Sequence, residues 1–198
     1  MELNNIELLL ASKSPRRRQL LGDLGFRVRF VALDTDETIS DNIAPADRAE
    51  AIAQKKAEAY PTEQLASHQI LITADTLVVS DNVVLGKPHT RDEAIAMLQS
   101  LSGKSHMVYT GCCLQHRNDR ISFTEATKVY FKDLSEDEIE HYVDVHKPFD
   151  KAGAYGIQEW IGMIGVTHIE GCFYNVMGLP VSRIYDAIKK MQTNAPQR

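Results

Sequence analysis

"LLLASKSPRRRQLLGDLG", residues 8–25, decides how the rest of the chain is read. Leu8 to Ala11 is a short apolar run of the kind a buried strand needs. The Ser-Lys-Ser-Pro turn follows at once. Ser14 reads as an N-cap and Pro15 as the first residue of a helix that runs to about Leu24 and is closed by Gly25. Arg16, Arg17 and Arg18 then fall in the first turn, where exposed N–H groups carry partial positive charge. Cations are disfavoured there, each by roughly 0.3–1 kcal/mol at low salt. A strand, a tight polar turn and a helix N-terminus also present backbone N–H groups that suit an anion. Ser12 and Ser14 add hydroxyls. Successive helical residues lie about 100° apart, so three consecutive arginines cannot all face one phosphate. Arg16 and Arg17 are expected to face it and Arg18 to face solvent. A solvated basic helix start competes for the same residues, and no GxxxxGK[ST] phosphate loop is present.

The 198 residues are 43% hydrophobic, enough for a core and for one domain over 1–198, or for two lobes sharing one sheet. Net charge is -5. That excludes a general surface for a nucleic acid polymer, so the basic feature is local and suits a small anionic ligand. No signal peptide or membrane span is expected, which points to the cytoplasm. Cys112, Cys113 and Cys172 form no CxxC pair and are odd in number. Buried thiols are expected rather than disulfides or zinc ligands.

Strands and helices mix along the chain, so the class is α/β or α+β with a mixed sheet. "FRVRFVA" (26–32) alternates apolar and basic residues and predicts a half-buried strand. An Ala-rich helix is expected from about Ala46 to Tyr60. Residues 70–88 are β-rich with a turn at Ser80-Asp81-Asn82. Thr90…Glu93 and Ser135…Glu138 are capping boxes for two further helices, ending near Gly103 and His146. Ser105–Gln115 and Ile121–Phe131 read as a hairpin around "HRNDR". A Gly-rich region is expected over 153–165, then a strand near Val166–Tyr174 and a helix from about Pro180 to Met191. The polar tail after Thr193 reads as frayed.

Several segments could carry chemistry. Asp34, Asp36 and Glu37 form an acidic loop. Clustered carboxylates hold hard divalent cations that bridge phosphate oxygens, although a solvated loop accounts for the residues as well. Asp75 in "TADT" stands where an apolar strand is expected to end, a frequent place for a metal ligand or general base and equally for a turn-capping Asp. Lys56 and Lys87 are single lysines and weak signals alone. "DKAGAYGIQ" (150–158) is rich in small residues that let backbone approach a ligand, and Gln158 offers an amide donor and acceptor to a base edge. The histidines show no metal-ligand spacing.

Taken together, "LASKSPRR", "DE" at 36–37, Lys56 in "QKKA", "ADT" at 74–76, "GKP" at 86–88, "DKAGAYGIQ" and "GLP" at 178–180 resemble the Maf family of nucleoside triphosphate pyrophosphatases. They occur in the family's order over nearly the whole chain. The resemblance implies a two-lobed Maf/ITPase-like α/β fold, with a strongly curved mixed sheet and a central cleft, in a homodimer. It implies hydrolysis of a nucleoside triphosphate to the monophosphate and pyrophosphate, assisted by a divalent cation, Mg²⁺ or Mn²⁺. Arg16, Thr76 and Gln158 follow the branch that favours dTTP and UTP. A sister branch linked to 7-methyl-GTP carries Trp, a "SDQ"-type strand end and Glu at those places. Under the resemblance Ser12, Arg16 and Arg17 meet the triphosphate, and Lys56 and Lys87 add positive charge. Glu37 and Asp75 hold the metal, Asp75 being also the family's proton acceptor. An aspartate amid cations is a feeble base, so base and ligand both stay open for Asp75. Alternatives are a pyrophosphatase for modified nucleotides, a nucleotide-binding regulator of cell division with little turnover, and an α/β domain whose arginines merely decorate its surface.

Overall fold

The computed structural model describes residues 6–33, 35, 37–40 and 42–193. The expectations for Asp34, Asp36 and the tail after Thr193 lie outside the described residues. The chain divides into two compact units, one of residues 1–75, 110–125 and 178–198 and the other of 76–109 and 126–177.

In the first unit, β1 (Glu7–Ala11) pairs in parallel with β2 (Arg27–Phe30) and with the start of β3 (Gln69–Ser80). Parallel neighbours need crossover connections. The helices α1 (Pro15–Asp23) and α2 (Pro45–Glu58) stand in those connections. Leu8, Leu9 and Leu10 are fully buried, which is why β1 is a continuous apolar run without alternation. β2 is an edge strand and shorter than expected. Phe26 is buried, but Phe30 stays out, with the Arg18 guanidinium 4.6 Å above its ring. Along α2, Ala49, Ile52, Ala53 and Ala57 face inward at helical spacing. The helix lies so close to β5 (Ser105–His116) that a Cβ on Gly111 would sit 2.1 Å from the Ala49 backbone. Thr73 of β3 donates its hydroxyl to the Ala53 carbonyl at 2.5 Å. The unit also holds α7 (Val181–Thr193), which buries Ile184, Ile188 and Met191.

The second unit contains β4 (Val83–Leu85), antiparallel to the end of β3 across Asp81 and Asn82. Both turn residues have positive φ, 49° and 64°, the requirement of a type I′ hairpin turn. The helices α3 (Arg91–Leu101), α4 (Glu136–His146) and α5 (Trp160–Gly165) follow, with β7 (Val166–Glu170) and α6 (Phe173–Val176). β7 is antiparallel to the end of β6 (Asp119–Phe131). Leu98, Leu101, Val129, Ile139, Tyr142 and Ile161 form the centre of its core. The seven-stranded mixed sheet runs β2-β1-β3-β5-β6-β7, with β4 paired to β3.

Three expectations need correction. β3 does not end at Asp75 but runs on to Ser80. Asp75 and Thr76 are half-buried polar residues inside a strand that is apolar on either side. The last strand stops at Glu170, because Gly171 takes φ 122° beside Thr127 and the Ala126 carbonyl, and Phe173 and Tyr174 turn into α6. The Gly-rich stretch, for which the sequence predicts no element, builds a 3-10 turn at Ala152–Ala154 and then α5. The Thr90 box is half made. Thr90 accepts from the Glu93 amide, whereas the Glu93 carboxylate accepts from the His89 amide at 2.6 Å. The Ser135 box is complete. Cys112 and Cys113 are buried free thiols, as expected, whereas Cys172 is a free thiol that is only half-buried.

Candidate active site

The loop between β1 and α1 is braced by Ser12 rather than Ser14. Ser14 occupies the N-cap position without a side-chain cap. The Ser12 hydroxyl accepts from the Ser14 amide at 3.2 Å and from Arg17 Nη1 at 3.1 Å. Arg17 is 9% exposed and also donates to main-chain carbonyls, Nε to Gly178 at 2.7 Å and Nη1 to Ala74 at 2.8 Å. Burial lowers its pKa from the ordinary arginine value, and the nearby Asp75 carboxylate opposes that. Arg16 is half-buried and Arg18 is exposed, so the three neighbours have three surroundings.

Lys56, in the last turn of α2, sits between two carboxylates. Its Nζ lies 2.8 Å from Asp75 Oδ1 and 3.1 Å from Glu37 Oε1. The Lys56 and Asp75 side chains are 13% and 18% exposed, and Glu37 is 57% exposed at the open side. Among the described residues, no three His, Cys, Asp or Glu side chains form a complete protein cage for a metal. The two carboxylates converge on the Lys56 ammonium, and their oxygens are the hard donors that suit Mg²⁺ or Mn²⁺ when substrate phosphates and water supply further ligands. The donor chemistry fits such an ion, which Glu37 and Asp75 would hold.

The second unit carries Thr76, Lys87 and Gln158. Thr76 is the residue after Asp75 on β3. Lys87 is exposed in the loop after β4. The "GKP" and "DKAGAYGIQ" segments are joined by the Gly153 amide, which donates to the Gly86 carbonyl at 3.0 Å. Gly153 has φ 69° and packs on Val78, where a Cβ would approach to 3.0 Å, so glycine is required. The Oε1 of Gln158 is buried without a hydrogen-bond partner, an acceptor suited to a ligand N–H.

Sequence reasoning missed the network beside Gln158. Lys151 is 8% exposed and its ammonium lies 2.7 Å from Asp150 and 3.0 Å from Glu159. The Tyr142 hydroxyl donates to the other Glu159 oxygen and accepts from the Gly156 amide at 3.1 Å. Burial and Glu159 both push the Tyr142 pKa up, so it stays a phenol and a donor. A lysine set among small apolar residues was the available signal, since a buried ammonium needs carboxylate partners.

A sequence model of the family described as Maf-like protein matches residues 7–191. A protein of Bacteroides thetaiotaomicron named dTTP/UTP pyrophosphatase is 50% identical over 191 residues, 96% of this chain and 98% of its own. Proteins of the same name from Phocaeicola vulgatus and Parabacteroides distasonis are 47% and 48% identical over 190 residues each. These alignments cover 96% and 94% of this chain, and 98% and 97% of the relatives. Among solved structures, the Ham1 protein of Staphylococcus aureus is similar in fold, with a TM-score of 0.51 at 13% identity over 93% of this chain and 99% of that one.

Proposed function

This chain belongs to the Maf-like protein family, and from that premise we propose that it hydrolyses dTTP and UTP to the monophosphate and pyrophosphate. The relatives that are about half identical over nearly its full length carry that activity in their name. The observation that carries the reading within the molecule is Lys56 held between Glu37 and Asp75, next to the strand residue whose carbonyl is bound by Arg17.

A water oxygen bonds to the α-phosphorus, the bond from that phosphorus to the α,β-bridging oxygen breaks, and pyrophosphate leaves with the electron pair. Asp75 is essential in either of its two roles, as acceptor of the water's proton or as metal ligand. Glu37 and Asp75 would hold a divalent cation, which when bound would supply charge neutralisation for the leaving pyrophosphate. Arg16, the first-turn amides of α1, Ser12 and Lys87 meet the remaining phosphate charge. Lys56 keeps the two carboxylates together and adds positive charge near the reacting bond. Thr76 and Gln158 face the base. Uracil and thymine offer one ring N–H between two carbonyls, which suits the unpartnered Gln158 oxygen, whereas cytosine offers an acceptor at that ring position. Family membership supports a homodimer in the cytoplasm that acts on free nucleotides, and a net charge of -5 gives a nucleic acid polymer no basic surface.

The test compares kcat/KM for dTTP, UTP, CTP, GTP and 7-methyl-GTP with Mg²⁺, with Mn²⁺ and with EDTA. Turnover of dTTP and UTP above the other three, abolished by EDTA, is the expected result. Preference for 7-methyl-GTP, or nucleotide binding without release of pyrophosphate, contradicts it.

A further inference from the structure

We propose that Arg17 is a positioning residue: its guanidinium holds the backbone on which Asp75 stands, and does not meet the triphosphate. This rests on the hydrolytic reading of Asp75. β1 leaves the sheet at Ala11, whose register partner on β3 is Thr73. Ala74 is the next residue of β3, one past the last residue that β1 pairs. Arg17 comes back to this place from the first turn of α1. Its Nη1 binds the Ala74 carbonyl at 2.8 Å, directly before Asp75. The same nitrogen reaches the Ser12 hydroxyl, while Nε binds the Gly178 carbonyl at 2.7 Å.

One planar group therefore ties the SxSPRR turn, the "ADT" strand and the "GLP" segment together. "GLP" otherwise has no part in the chemistry. Gly178 has φ 109°, a conformation that only glycine takes without strain, so its carbonyl direction is set by that choice of residue. A guanidinium offers several N–H donors in a rigid fork, and an ammonium is a point charge on a flexible stem. At 9% exposure Arg17 is buried, which suits a group whose partners are the protein's own oxygens. Half-buried Arg16 is left to meet phosphate.

The experiment measures dTTP turnover by wild type, Arg17→Met and Arg17→Lys, and the Kd of each for the α,β-imido analogue of dTTP. A displaced Asp75 predicts kcat lower by about 100-fold or more in Arg17→Met, the scale of a small misplacement of reacting groups. Kd should stay within about threefold, since binding through the phosphate-facing groups persists, and Arg17→Lys should fall along the same axis by less. A Kd that rises in step with the loss of kcat/KM makes Arg17 a phosphate ligand and overturns the proposal. Should Arg17→Met fail to show a cooperative melt, Arg17→Lys carries the measurement, and wild-type kcat in that variant overturns it. Deuterium exchange gives a readout that needs no turnover. Peptides covering Ala74–Thr76 and Gly178–Leu179 should exchange faster in Arg17→Lys while α4 is unchanged. Unchanged exchange at both places overturns the clamp. Absence of turnover in wild type counts against the hydrolytic reading instead.

Discussion

Lys56 shows how much a single side chain can be asked to do. An exposed ion pair is worth little, because water solvates both partners. Here the ammonium and the Asp75 carboxylate are 13% and 18% exposed, so their mutual position is held more firmly than a surface pair would be. Lys56→Met is expected to lower kcat/KM for dTTP by about 100- to 1000-fold, the range seen when one preorganised electrostatic group is removed. Lys55→Met, one residue away with its ammonium on the Thr38 carbonyl, should stay near wild type. Equal losses in steady-state assays of the two variants would contradict a special role for Lys56. His106 makes a prediction about stability. Its Nε2 is 2.7 Å from the Tyr155 hydroxyl, its Nδ1 is buried and unpartnered, and burial lowers its pKa to about 4. The unfolded chain therefore binds the proton more tightly than the native one. Stability conferred by the neutral ring is present above about pH 6.5 and is lost as pH falls toward 4, by up to about 3 kcal/mol. Urea melts from pH 7 to 4.5 should show this slope, and His106→Phe should flatten it even if its overall stability is lower. At this scale the sequence was only partly legible. Asp75, Lys56 and Glu37 were recognisable by motif and do meet. Arg18 was expected in solvent and is exposed, but the hold of Arg17 on two carbonyls was not legible, because a guanidinium that binds carbonyls and one that binds phosphate look the same in a string of letters.

Elements place these residues, and their seats can be tested. Helix α2 delivers Lys56, and it can lie against β5 only because Gly111 has no side chain. Gly111→Ala is expected to destabilise the protein by about 3 kcal/mol, since the new Cβ meets backbone that cannot rotate away. That corresponds to a fall of roughly 6–12 °C in Tm for a chain of this size, read by calorimetry. Unchanged Tm would mean that the helix sits elsewhere. The segment before α5 is held by Lys151 and Tyr142 through Glu159. Lys151→Met leaves a carboxylate without its cation and should cost about 3–5 kcal/mol. Tyr142→Phe loses a donor to that carboxylate and an acceptor for the Gly156 amide, at about 1–3 kcal/mol. Because Gln158 precedes Glu159, both variants should also narrow the difference in kcat/KM between UTP and CTP. Unaltered selectivity in folded variants would reduce the network to stability alone. Helix starts were legible, since Thr90 and Ser135 announce themselves three residues ahead of a glutamate. Strand ends were not. A polar pair at Asp75-Thr76 resembles a terminus, yet the strand passes straight through it, and a left-handed glycine at 171 ends a strand whose apolar pattern continues.

For the whole molecule, the order of short segments carried more than any one of them. Each is too loose to identify a chemistry, but their succession along the chain pointed to a family that residues 7–191 match. Composition bounded the rest. A chain of net charge -5 has no general affinity for polyanions, so its arginines and lysines had to serve something local. The mixed α/β class followed from alternating strand and helix signals, and the sheet order did not. Parallel pairing of β1 with both β2 and β3 depends on how two crossovers pack, which no local pattern records. The chain leaves one unit for the other between Asp75 and Thr76, so the residues expected to act on phosphate mostly belong to the first, and Thr76, Lys87 and Gln158 to the second. Hydrolysis of dTTP in ¹⁸O-labelled water tests the central claim most directly. Attack at the α-phosphorus predicts dTMP carrying one ¹⁸O and pyrophosphate carrying none. Labelled pyrophosphate with unlabelled dTMP, or dTDP with phosphate, would contradict it.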